Sequence, residues 1–226
     1  MIEGIDCSTY QGVIDWPKVA DAGMRFAYLK ASEGAAYRDP VFSRNRHGAR
    51  DAGMLPGAYH FARFGNPERE ANWFWACAEE LGANEFELPP ALDLEAQPPA
   101  GWNRVQTMLW VGKFLDKLES LCGRVPVLYT YPYYWAQYCI PEAVFGTYPL
   151  WLAQYSKTGP WHPGPNDQPT VPKPWDRWTV WQWCGSGADP LAGVHGVPPD
   201  RNLFNGSWEE LCALAGAQTE PPPVCG

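Results

Sequence analysis

The sequence has no apolar run approaching the roughly 18 residues of a membrane helix, so no segment of that kind crosses a bilayer. Basic residues are few: 17 Lys and Arg stand against 25 Asp and Glu, for a net charge of −8 and a pI near 5.0. They are scattered without a basic run, which excludes the electrostatic footprint of a nucleic-acid-binding protein. The four histidines (His47, His60, His162, His195) form no H-E-x-x-H and give no local metal signature. No G-x-G-x-x-G follows a strand, and Gly185-Ser186-Gly187 does not complete a G-x-S-x-G elbow. No metal and no cofactor is expected. The 7 cysteines (Cys7, Cys77, Cys122, Cys139, Cys184, Cys212, Cys225) are odd in number, widely spaced and free of C-x-x-C. That argues against a zinc knuckle or a disulfide framework and for thiols in a reducing compartment. Met1-Ile2-Glu3-Gly4-Ile5-Asp6 has neither a basic n-region nor an apolar h-region, so synthesis in the cytoplasm without a signal peptide is the expectation. The sequon Asn205-Gly206-Ser207 then carries no weight.

What is present is a chain of 226 residues, 46% hydrophobic and 19% charged, long enough for one domain with a substantial core. Short β-prone runs tile it: Ile2 to Asp6, Phe26 to Lys30, Gly57 to Phe61, Ala91 to Glu95, Val127 to Thr130, Leu150 to Gln154, Thr179 to Trp183 and Asp200 to Phe204. Helical patterns fill the early gaps at Trp16 to Ala22, Val41 to Ala52, Glu68 to Leu81 and Val105 to Leu121. Asp15-Trp16-Pro17 supplies a helix start, and Gly23, Gly53, Gly82 and Gly123 supply stops. Beyond Tyr131 the connections turn Pro-, Gly- and Trp-rich with little helix. The pattern predicts an α/β, TIM-like β/α barrel, regular in its first half and helix-poor in its second. An open doubly wound sheet is the rival topology. Domain bounds of 1–216 are expected, with 217–226 a Pro-rich tail or linker stub.

β/α barrels carry their functional groups at the C-terminal ends of strands, and here that inventory is acidic. Strand one ends in Asp6, the fourth in Asp93-Leu94-Glu95, and the last opens with Asp200. Asp93 and Glu95 share a strand face, roughly 7 Å apart at Cα. Two like charges ending an apolar run are costly to bury, so the pair reads either as acid/base chemistry or as a solvated strand end bridged to a helix. Around them stand Lys30 and Glu33, His60, Thr130-Tyr131, Gln154-Tyr155 and Gln182. Lys30 and Glu33 either meet a ligand or pair with each other, and His60 is either a contact or a satisfied rim histidine. Carboxylates ringed by aromatic and amide groups suit glycoside hydrolysis. Cys7 adjoins Asp6, but alternation turns it toward the helical layer, away from the role of nucleophile.

Ordered motifs run from Gly4-Ile5-Asp6-Cys7-Ser8 and Gln11-Gly12-Val13-Ile14-Asp15-Trp16 through Lys30-Ala31-Ser32-Glu33-Gly34, Tyr37-Arg38-Asp39-Pro40 and Gly57-Ala58-Tyr59-His60-Phe61. They continue with Asp93-Leu94-Glu95, Tyr129-Thr130-Tyr131, Leu150-Trp151-Leu152-Ala153-Gln154-Tyr155, Trp181-Gln182-Trp183 and Asp200-Arg201-Asn202-Leu203-Phe204. Together they resemble the glycoside hydrolase family 25 lysozymes, the Chalaropsis-type muramidases of phage endolysins, bacterial autolysins and some fungi. The resemblance implies a barrel of five β/α units followed by three further strands. It also implies hydrolysis of the β-1,4 bond from N-acetylmuramic acid to N-acetylglucosamine in peptidoglycan. Carried over by position, Glu95 is the proton donor, Asp93 its leading partner, and Asp6 and Asp200 the other catalytic acids. Tyr59, Tyr129, Tyr131, Trp151, Gln154 and Trp181, with Lys30 and Glu33, become substrate-groove residues. Two departures stand out: Cys7 where an aliphatic residue is usual, and Pro198-Pro199 just before the last strand.

The resemblance leaves three nucleophiles open: a carboxylate, an activated water, or the substrate's own N-acetyl oxygen. Bacterial glycan strands are the expected partner, met by a monomer, and a phage endolysin acting on the wall after release is the expected setting. A bacterial autolysin or delivered toxin, a chitin-directed glycosidase and an inactive wall-binding barrel are the alternatives. With a net charge of −8, attraction to an anionic wall is weak, so binding falls to a short-range groove or to a separate targeting module.

Overall fold

The computed structural model describes residues 1–79, 87–155, 162–164, 167–185 and 189–217. In chain order its elements are β1 (Ile2–Cys7), α1 (Trp16–Asp21), β2 (Phe26–Glu33), β3 (Tyr37–Arg38), α2 (Phe42–Asp51), β4 (Leu55–Phe61), α3 (Pro67–Glu79) and β5 (Ala91–Asp93). There follow α4 (Arg104–Cys122), β6 (Val127–Thr130), α5 (Pro132–Tyr138), β7 (Leu150–Ala153), β8 (Val180–Cys184), β9 (Asp200–Phe204) and α6 (Trp208–Ala215). Eight strands close into a barrel in the order β1-β2-β4-β5-β6-β7-β8-β9, with β9 returning to β1. The two-residue β3 hangs on β2 as a hairpin outside the ring. Five β/α units followed by three strands describe the observed order, and the open-sheet alternative is excluded by the β1–β2 and β1–β9 pairings. Among the described residues, no helix is long and apolar enough to cross a membrane.

Around the ring, pairing is parallel from β1 to β8, whereas β9 is antiparallel to both of its neighbours. This direction matters for function, because it brings the first residue of β9 to the rim where the other strands end. Asp200 pairs in register with Asp6. Pro198-Pro199 do not delay the strand, which begins at Asp200.

Strand alternation divides the core into two compartments. Ile5, Leu29, Leu92, Leu128 and Leu152 face outward and are buried against Phe74 of α3, Phe114 of α4 and Trp135 of α5. Inside the barrel lie Phe26, Tyr28, Tyr129, Trp151, Val180 and Phe204, and Leu211, Cys212 and Ala215 of α6 close the end remote from Asp6. Burial of each such large side chain contributes about 1.5–3 kcal/mol. Bulky interior rings need small neighbours. A Cβ on Gly4 would lie 2.5 Å from the Phe26 ring, and one on Gly57 would lie 2.7 Å from Tyr28.

Helix ends explain both the agreements and the omissions. Asp15 caps α1 by accepting from the Lys18 amide, and Gly123 ends α4 with φ +67. The sequence reading missed α5 and α6, although Ser207 and Glu210 form a capping box that announces α6. The expected continuation of α3 through Glu80 and Leu81 to Gly82 lies outside the described residues, as do 218–226 of the expected tail. The six cysteines among the described residues are thiols; Cys225 lies outside them.

Candidate active site

At the rim where β1 to β8 end and β9 begins, a cavity of about 180 Å³ is lined by Asp6, Lys30, Tyr59, Asp93, Glu95, Tyr129, Trp151, Gln182 and Asp200, among others. The four carboxylates singled out in the sequence therefore meet in one place. They reach it by different routes. β5 ends at Asp93, not at Glu95 as expected, yet the Leu94 amide still donates to the Tyr129 carbonyl (3.0 Å) and Leu94 is buried in the outer layer. That keeps Glu95 on the face of Asp93, and the sharing of a face expected from alternation survives the end of the strand.

Burial separates these acids from ordinary carboxylates. Asp6 is 8% exposed and Asp93 7%. Burial, and then the Asp200 charge, push the Asp6 carboxyl well above its usual range, while hydrogen bonds from Asn202 Nδ2 (2.7 Å) and Gln182 Nε2 (2.8 Å) pull it back. Asp93 is raised well above its usual range by burial and by Glu95, and its Oδ1 has no hydrogen-bond partner among the described residues. Glu95 is raised by burial and by Asp200, with Lys30 opposing. Clustered acids of this kind hold protons at pH values where isolated ones have lost them.

Lys30 and Glu33 do pair, at 2.6 Å, and Arg63 binds the other side of Glu33 at 2.7 Å. A bulge between Lys30 and Ser32 brings this about: it breaks the alternation, puts Lys30 and Glu33 on one side, and turns Ser32 to His60. Lys30 lines the cavity, while Glu33 holds it from behind. His60 is not at the cavity. Fully buried in the outer layer, it lies between Ser32 Oγ (2.8 Å) and Glu70 Oε2 (3.1 Å), and burial lowers its pKa, which keeps it neutral.

A second, adjoining cleft of about 650 Å³ shares Glu95 and Tyr129 with the first and is lined by Tyr131, Tyr133, Gln154, Tyr155 and Thr170. Tyr131 and Gln154 thus belong to an extension of the cavity, and Tyr59, Tyr129 and Trp151 to its wall. Trp181 does not belong to either. Its neighbour Gln182 faces inward, so alternation sends Trp181 outward, where it is 5% exposed, meets Trp178 edge-on and donates to the Gln154 carbonyl (2.8 Å). The expectation of a groove role for Trp181 is corrected on that ground.

Asn202 was missed, although it shares a face with Asp200 two residues earlier in β9 and donates to Asp6. Cys7 borders the cavity, but its thiol packs with the outer layer and is raised well above its usual range by burial and by Asp6, so it does not supply a thiolate. Cys7→Ala is expected to keep at least half of wild-type activity in a turbidity assay; loss of activity in a folded variant would return the thiol to the chemistry.

The charge of Asp200 gives a second expectation. A general acid works while protonated, so activity falls as pH rises through the pKa of Glu95. Asp200→Asn removes a charge that holds this pKa up, and the alkaline limb of kcat/KM should move to lower pH. A pH series on soluble glycan checks it; an unmoved limb would separate Asp200 from Glu95.

Known proteins share this architecture. The family model of the glycosyl hydrolases family 25 matches residues 5–191. Lysozyme M1 of Streptomyces globisporus is 35% identical over 222 residues, covering 95% of this chain and 71% of that protein. The N,O-diacetylmuramidase of Chalaropsis is 32% identical, covering 95% of this chain and 99% of its own. Among solved structures, the bacterial lysozyme from Streptomyces coelicolor superposes with a TM-score of 0.81 at 34% identity, covering 95% of this chain and 96% of that one. With the barrel order, the acidic rim and a family match over most of its length, the chain belongs to the glycosyl hydrolases family 25.

Proposed function

We propose that this family 25 hydrolase is a peptidoglycan muramidase that cleaves the β-1,4 bond from N-acetylmuramic acid to N-acetylglucosamine. The observation that carries the reading is the joint lining of one cavity by Asp93 and Glu95, with Glu95 made a weaker acid by burial and by Asp200. Glu95 gives its proton to the glycosidic oxygen as the bond to C1 breaks. The Asp93 carboxylate faces the positive charge that grows at C1 and the ring oxygen. Water adds its hydroxyl to C1, and its remaining proton restores Glu95. The tyrosine-lined cleft beside the acids gives the glycan strand a place to lie, with ring faces available for sugar stacking.

Product analysis tests this directly. Purified wall is digested, reduced with borohydride and hydrolysed, and the new reducing ends are counted. Muramitol is the expected product. Glucosaminitol would mark a glucosaminidase, and new amino termini an amidase; either overturns the reading. Turnover of chitin oligomers at a comparable rate would move the substrate class, and absence of any product would leave a wall-binding barrel.

For the setting, we propose a phage endolysin made in a host cytoplasm. Its support is the set of buried thiols, with Cys7, Cys139 and Cys212 raised by burial and suited to a reducing compartment. Cytoplasmic expression should leave cells intact until the membrane is permeabilised, and lysis should follow within minutes. Cells that stay turbid after permeabilisation would count against that role.

A further inference from the structure

Lys30 lines the cavity with four carboxylates, yet its ammonium is committed to a fifth. Its Nζ donates to Glu33 Oε2 at 2.6 Å, behind the cavity wall, and lies 4.8 Å from the centre of the Phe61 ring. Asp93, on the wall itself, keeps an Oδ1 with no partner among the described residues. Attraction alone would draw the lysine toward the unpaired acid, so something holds it back. Glu33 is fixed in turn from its far side, where Arg63 Nε and Nη2 both reach Oε1 at 2.7 Å.

Glu33 shares a side with Lys30 only because Ala31 is bulged out of the pairing. Lys30 pairs with Tyr59; past the bulge, Ser32 pairs with His60 and Glu33 with Phe61. Without the bulge, Ala31 would stand beside His60. His60 chooses between the two, because its Nδ1 lies 2.8 Å from Ser32 Oγ and a methyl group cannot fill that place. Glu70 sets the tautomer. It accepts from the Gly65 amide on Oε1 (2.5 Å) and from the Arg63 amide on Oε2 (3.1 Å). A carboxylate only accepts, so His60 gives its Nε2 proton to Glu70 Oε2 (3.1 Å) and turns a bare Nδ1 to the Ser32 hydroxyl. Ser32 and His60 are 0% exposed and Glu70 1%, so no water competes for these bonds. One buried carboxylate thus anchors both the strand that carries Glu33 and the arginine that binds it.

We propose that His60, set by Glu70, is a positioning residue of the acidic site: by holding the bulge in β2 it seats Glu33 as a tether on Lys30, so that the lysine is withheld from Asp93 and Glu95. The proposal deepens the muramidase reading and rests on it for the role of Glu95 as the acid. Burial holds both acids up, and the Lys30 charge acts the other way on each. Glu33 opposes Lys30 at Asp93. The bulge follows Lys30 in the strand, so its loss displaces Glu33 and leaves Lys30 at the cavity with its charge unmatched. Both acids would then ionise more readily, and Glu95 would be less able to keep its proton for the substrate.

The test reads the acids without substrate, so a failure of the muramidase reading leaves it intact. The Asp93 and Glu95 carboxyls are titrated by ¹³C NMR on aspartate- and glutamate-labelled protein, assigned by difference from Asp93→Asn and Glu95→Gln. Glu33→Gln cuts the tether directly, and both midpoints should fall. His60→Phe keeps a ring beside Phe74 and Phe114, whose centres lie 5.3 and 5.1 Å away, and removes both hydrogen bonds. Burial keeps His60 neutral, so no charge is lost with it. Both midpoints should fall here too, by less than in Glu33→Gln.

Ser32→Ala is the second variant, needed if His60→Phe does not fold. It loses a single hydroxyl and makes positions 31 and 32 alike, so nothing selects the bulge, and the midpoints should again fall. Adding Lys30→Met to either variant should abolish the fall, because the unmatched charge is gone. A purely structural role for His60 would disturb the acids with or without Lys30. The other titratable groups facing the acids, Asp6, Asp200, Tyr59, Tyr129, Tyr131 and Tyr155, are the same in every variant. No fall in Glu33→Gln, unmoved or raised midpoints in the folded His60→Phe or Ser32→Ala protein, or a fall that survives Lys30→Met would overturn the proposal.

Discussion

Glu95→Gln is expected to lower turnover of purified wall by about 10² to 10⁴, the usual worth of a general acid. Gln keeps the shape and the hydrogen-bonding reach of Glu, so Tyr129 and the cavity wall retain a neighbour. Only the transferable proton is lost. The comparison requires matched folding, shown by near-ultraviolet circular dichroism of the tryptophan-rich core and by an unchanged unfolding midpoint. Retention of more than about a third of the wild-type rate at any pH would remove Glu95 from the role.

Asp93→Asn should act on rate and on stability in opposite directions. Removing a carboxylate that faces developing positive charge is expected to cost about 10² to 10³ in kcat, as for other preorganised electrostatic groups. Stability should rise instead. Asp93 titrates well above its ordinary value of 3.8 because burial and Glu95 disfavour its charge, and one of its oxygens lacks a partner among the described residues. A group whose folded pKa exceeds its unfolded pKa stabilises the fold fully below the unfolded value. That contribution is lost as pH rises through the folded value. Once pH rises far enough to ionise Asp93 its buried charge is a cost, and Asn, which carries none, relieves it. The advantage should shrink as pH falls toward 3.8, because wild-type Asp93 is then protonated as well. Urea unfolding at several pH values reads both trends. A variant less stable than wild type at neutral pH would mean that Asp93 is held for structure and not for chemistry.

Strands were legible because apolar β-prone runs are short and evenly spaced, and the acids were legible because alternation ties residues two apart to one face. The same rule failed where a bulge intervened, and at Trp181 it was right where analogy was not. Trp181 looked like a groove residue by analogy, yet Gln182 faces the barrel interior and sends it outward. Lys30 and Glu33, three apart, should have faced opposite ways, and the bulge at Ala31 lets them pair. α6 was announced by Ser207 and Glu210 but lay beyond the region read for helices. The roles of Gln182 and Asn202 depend on contacts with Asp6 across 176 and 196 residues of sequence, which no local pattern encodes. The antiparallel course of β9 was equally invisible, since its composition is that of any strand.

That reversed strand has a consequence in the time order of synthesis. Asp6 leaves the ribosome long before Asp200, and they become neighbours only when β9 slots in against β1. Until then Glu95 lacks the carboxylate that most opposes its ionisation, and burial alone must hold its acidity down. A nascent chain can therefore hold every other part of the site in place and still keep its acid proton less firmly than the finished fold. Arrival of the last strand both shuts the barrel and arms the acid.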